Sequence, residues 1–89
     1  MALFKLGEVV ATPGALRLCE AHAVNPLFLL GRHRNGDWGN LDQHDVAANV
    51  HAVQHDLRIL SSYAVGGEKV WVITEADRGS TCMLLPDEY

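Results

Sequence analysis

The chain has 89 residues, 48% hydrophobic and 20% charged, a balance that fits one small folded domain over residues 1–89 and excludes a disordered, collagen-like or coiled-coil polypeptide. Its 11 acidic side chains against 7 basic ones give a net charge of −4, which repels a phosphate backbone, so direct nucleic-acid binding is not expected. Cys19 and Cys82 stand far apart in apolar stretches, as buried free thiols do, and no apolar run suits a leader or a membrane span; a cytoplasmic protein is expected.

In chain order, Leu3 to Ala11 reads as a first strand, stopped by Thr12-Pro13-Gly14. Thr12 doubles as an N-cap with Pro13 at the first helical position, so Pro13 to His22 is a predicted helix. Asn25-Pro26 repeats the device and opens a second short helix ending near Gly31, with Leu27, Leu30 and Phe28 as its buried side. Arg32 to Asn40, with glycines at 36 and 39 and few apolar residues, reads as a loop. Asp42 then caps a third helix, whose Val46, Val50, Val53 and Leu57 fall on one side of a helical wheel.

From Leu57 the pattern turns to strands: Leu57 to Val65, Glu68 to Glu75 and Thr81 to Leu85, joined at Gly66-Gly67 and at Ala76 to Ser80. The expected fold is a small α+β domain in the order β-α-α-α-β-β-β, with a C-terminal antiparallel three-stranded meander and helices packed on one face. The first strand can join either edge of the meander. Val70-Trp71-Val72-Ile73 and Cys82-Met83-Leu84-Leu85 are apolar at successive positions, so both faces of the sheet are apolar. Either loops and termini fold over the second face, or it is a partner or homodimer interface centred on Trp71.

Candidate chemistry is sparse. His44, His51 and His55 form a stripe on the third helix, but it lies opposite the valines and lacks further ligands, so it reads as a solvated face and no metal or cofactor is expected. Gly36-Asp37-Trp38-Gly39 joins an acid and a large aromatic between glycines; either it presents a binding loop, or Trp38 turns inward while Asp37 bonds nearby amides. Glu75, Asp77 and Arg78 sit where a strand enters a turn, as a carboxylate pair with an anion clamp or as a local turn cap. The candidate binding set is therefore Asp37, Trp38, Trp71, Glu75, Asp77 and Arg78, with no catalytic residues. Phosphate-binding glycine loops and a serine-nucleophile elbow are absent. Charge is uneven: Arg32-His33-Arg34 is the one basic spot, while residues 37–89 hold nine acids against three bases.

The motifs Gly36-Asp37-Trp38-Gly39, Leu60-Ser61-Ser62-Tyr63, Trp71 to Arg78 and the closing Leu84-Leu85-Pro86-Asp87-Glu88-Tyr89 together resemble a group of small uncharacterised bacterial proteins met on plasmids and integrative elements. Some of that group carry an automatic label tying them to a type I restriction methylase subunit. The resemblance covers most of the chain and implies a mobile-element setting without supplying catalytic residues. The expectation is a non-enzymatic accessory protein acting through protein contacts, with self-association as a homodimer. Two alternatives stand beside it: a small metal-dependent hydrolase or nuclease using Glu75 and Asp77, and an acidic inhibitor of host restriction or CRISPR defence.

Overall fold

Three side-chain N-caps start the three helices of the computed structural model, which describes residues 1–89. The elements run β1 (Glu8–Ala11), α1 (Pro13–Ala21), α2 (Pro26–Arg34), α3 (Gln43–His55), β2 (Ile59–Val65), β3 (Glu68–Thr74), β4 (Ser80–Leu84) and a closing 3₁₀ turn (Pro86–Glu88). Thr12 accepts from the Ala15 amide, Asn25 from Leu27 and Asp42 from Asp45, each satisfying a donor that the first helical turn leaves free. The expected element order is therefore the observed one, and no helix is long and apolar enough to cross a membrane.

The sheet has the order β1-β4-β3-β2. The two C-terminal hairpins are antiparallel, with Trp71 opposite Ser62 and Leu84, while β1 lies parallel to β4 with Val10 opposite Cys82. α1 and α2 cover one face, where Ala15, Leu18, Cys19, Leu29 and Leu30 meet Tyr63, Val65, Val70, Val72 and Met83 in the main core. A smaller core joins α3 to β2 through Trp38, Ala52 and Ile59, with Phe4, Leu41, Val46 and Val53 packed against it.

Three expectations need correction. The first strand is only Glu8–Ala11, because the residues before it bind elsewhere: the Leu3 amide donates to the Arg34 carbonyl at 2.8 Å, tying the N-terminal segment to the end of α2. α2 continues past Gly31 to Arg34, since the extra turn brings His33 into a buried hydrogen-bonded position. On α3 the buried residues are Asn49 and Ala52, whereas Val50 and Leu57 are exposed. The helix is rotated from the valine stripe because the Asn49 side chain serves both backbone groups of Leu60, donating to its carbonyl at 2.6 Å and accepting from its amide at 3.2 Å.

That amide pair also protects an edge. The outer side of β2 is closed by Asn49 and, one step on, by the loop Trp38–Asn40, where the Ser62 amide donates to the Trp38 carbonyl and the Asn40 amide donates to the Ser62 carbonyl. β1, the other edge, has β4 as its only strand neighbour.

Candidate functional site

The turn after β3 places Glu75, Asp77 and Arg78 close in sequence but gives each a different task. The Asp77 carboxylate accepts from the Gly79 amide at 2.8 Å, bracing its own turn. Glu75 pairs with Arg58 at 3.0 Å on the exposed surface. Arg78, at a left-handed φ of 58°, sends its guanidinium to the Leu57 carbonyl at 2.7 Å and the Ala52 carbonyl at 2.9 Å, so a hairpin residue caps the C-terminal end of α3. Its guanidinium also lies 5.6 Å from the Phe4 ring centre. No three His, Cys, Asp or Glu side chains are grouped so as to hold a metal ion, and Asp37 belongs to a separate loop.

That loop is built around an ion pair. Arg32 donates to Asp37 through Nε at 2.7 Å and Nη2 at 3.2 Å, and the same carboxylate accepts from the Gly39 amide. The Arg32 bond holds the Asp37 carboxyl below its usual range. The guanidinium lies 4.6 Å over the Tyr63 ring, whose hydroxyl donates to the Asp37 carbonyl at 2.6 Å; burial pushes that phenol up to about 12. Trp38 turns inward, 6% exposed, stacked on Phe4 and edge-on to His33. Its expected place among the surface binding residues is therefore corrected: the indole fills the small core beside α3, because Gly39 lets the chain turn tightly against Ser62.

Trp71 is half-buried, and its sheet face is partly covered within the chain. The Tyr89 ring meets the indole edge-to-face at 5.8 Å, and the Tyr89 hydroxyl accepts from Arg58 at 2.9 Å. Glu88 fastens this tail, accepting from the Thr12 hydroxyl and the Leu85 amide, each at 2.7 Å; these bonds hold its carboxyl below the usual range. Ile73 and Leu84 on the same face are buried.

Two features escaped the sequence reading. The first is a buried polar chain through His33, which is 0% exposed. His33 Nδ1 lies 2.5 Å from the Ser61 hydroxyl and Nε2 lies 2.9 Å from the Thr74 hydroxyl; Thr74 lies 2.7 Å from Thr81, and Thr81 donates to the Leu6 carbonyl at 2.7 Å. That carbonyl can only accept, so it orders the protons along the chain: Thr74 donates to Thr81 and Nε2–H donates to Thr74. Burial lowers the ring's pKa to about 4, so at neutral pH it is uncharged and Nδ1 accepts from Ser61. Ser61 has the serine-to-imidazole contact of a nucleophile but is 0% exposed, so the chain ties α2 to β2, β3 and β4 rather than meeting a substrate.

The second is an apolar ridge on α2. Leu29, Leu30 and His33 face the sheet, which leaves Leu27 72% and Phe28 64% exposed, against the expectation that both are buried. The signal was present in Leu27-Phe28-Leu29-Leu30: at 100° per residue, four consecutive apolar side chains cannot share one helix face. Grooves flank the ridge on both sides, one lined by Leu6, Val9, Leu30 and Arg34, the other by Val24, Leu29, Arg32 and Ala64. Comparison with known proteins finds no matching family model, no matching curated protein and no matching solved structure.

Proposed function

We propose that this chain is a non-enzymatic accessory protein of a bacterial mobile genetic element that works by binding proteins, itself included. The observation carrying this reading is the exposed pair Leu27 and Phe28, set between two grooves on the outer side of α2. Burying a leucine and a phenylalanine is worth roughly 3–6 kcal/mol before the costs of association, enough to anchor a small interface. Arg34, exposed and without an ion-pair partner, borders one groove, so the ridge favours a partner with apolar anchors and a carboxylate at that rim. The mobile-element setting rests on the sequence resemblance.

The carboxylate reading is supported less well, because Asp77 is held by its own turn and Glu75 by Arg58. Two experiments separate the readings. Affinity purification from bacteria compares the wild-type chain with Leu27→Asp/Phe28→Asp; the proposal expects specific partners lost in the variant while its melting temperature is kept, and an unchanged partner profile refutes it. Incubation with DNA or RNA and magnesium is expected to give no cleavage; cleavage abolished by Glu75→Gln or Asp77→Asn restores the hydrolase.

A further inference from the structure

We infer that two copies of this chain pair through the free edge of β1 to form one continuous sheet, an inference that rests on the protein-binding reading and names its self-association surface. The two edges of the sheet are treated differently. β2 is closed by Asn49 and by Trp38–Asn40, whereas β1 has no such cover. β1 is short and begins with the charged Glu8, but it holds no proline or bulge, and it carries Val9 and Val10 exposed on opposite faces.

The hydrogen-bond phase fixes the register. Glu8 donates to the Gly79 carbonyl and Thr12 to the Met83 carbonyl, so even-numbered residues of β1 point their amides at β4, and those of Val9 and Ala11 point away. An antiparallel partner must set outward residues opposite outward residues. Setting Val9 opposite its own copy brings Ala11 against Gly7, which sits at a φ of +67° hard against the Arg78–Gly79 backbone. Setting Ala11 opposite its own copy brings Val9 against Pro13, which has no amide to give. With Val10 on the two-fold axis, Val9 and Ala11 of one copy exchange both backbone bonds with Ala11 and Val9 of the other. In this register Glu8 faces Thr12, so no like charges are opposed.

Side chains agree with this arrangement. Val10 meets Val10 of the second copy on the back face, at the close separation of a non-hydrogen-bonded pair. On the helix face, Val9 lies in the groove with Leu6, Leu27 and Leu30, which the axis would extend into the same groove of the second copy. Gly31, on the groove wall, has open space where a Cβ would stand, leaving room for the two α2 helices to approach.

The test is the mass of the purified full chain by sedimentation equilibrium and light scattering, from micromolar to millimolar concentration. The expected result is a reversible dimer at twice 9.8 kDa. Val10→Lys, which places like charges face to face on the axis, is expected to weaken it about 100-fold, and mixing it with Val10→Glu to restore a mixed dimer. Val9→Pro, which removes an outward amide and none bonded to β4, is expected to be monomeric. Circular dichroism melts establish that each variant is folded; if Val9→Pro unfolds, the Val10 pair decides alone. A wild-type chain monomeric throughout, or a dimer unaffected by Val10→Lys, overturns the inference. If the wild type is monomeric but Leu27→Asp/Phe28→Asp still loses its partners, the self-pairing falls and the protein-binding reading stands.

Discussion

Lowering the pH from 7 to 4 should remove stability through one residue, His33. Its ring is sealed between α2 and the sheet, with both nitrogens committed and the Phe4 and Trp38 rings edge-on to it. In the unfolded chain an imidazole takes its proton near pH 6.5; in the folded chain burial lowers that value to about 4. Between these values the unfolded state binds more protons, so stability is complete above about pH 6.5, falls as pH drops through the window, and levels off below about 4. At 1.36 kcal/mol per unit, the loss is about 3 kcal/mol, a large part of what a small domain has. The carboxyls of Asp37 and Glu88 are held below their usual range, so their contributions disappear at lower pH than the onset of the His33 effect. Urea unfolding followed by tryptophan fluorescence at stepped pH measures the slope, and His33→Gln, which keeps a donor and an acceptor, should flatten it. A stability that is level from pH 6.5 to 4, or a His33 imidazole that titrates near 6.5 by NMR in the folded protein, would refute the reasoning.

Other substitutions probe the supports of the fold. Asn49→Ala strands the Leu60 amide and carbonyl at the β2 edge and should cost about 1–3 kcal/mol in urea unfolding, with faster hydrogen exchange at the Leu60 amide. Arg78→Ala uncaps α3 and should cost about 2 kcal/mol; Arg78→Lys should recover only part, because one ammonium does not reproduce a fork spanning the Leu57 and Ala52 carbonyls. Gly39→Ala forces a left-handed φ of +74° and a clash with the Ser62 carbonyl, and should lower stability by at least about 1–3 kcal/mol, seen as a lower melting temperature. Glu75→Gln breaks an exposed ion pair and should change stability by less than about 1 kcal/mol.

What the sequence made legible was local. Thr12, Asn25 and Asp42 announce their helices because a cap needs only an oxygen and an amide two or three residues on. The hairpins were equally plain, since Gly66-Gly67 and the Asp77 turn join strands adjacent in sequence. The parallel pairing of β1 with β4 spans most of the chain, and nothing near Glu8 signals it. The same holds for His33, whose partners Ser61 and Thr74 are 28 and 41 residues away and whose basic neighbours suggested a surface. Trp38 and Arg78 carried the chemistry of recognition, and the fold spends both on its own interior and helix end.

The central claim, that this protein works through the outer side of α2 and the strand beside it, is tested most directly by photo-crosslinking in living bacteria. A photoreactive residue at position 28 should give a discrete adduct with another protein chain, while one at Glu20, also exposed, should not. Equal labelling at the two positions, or none at either, would contradict the account.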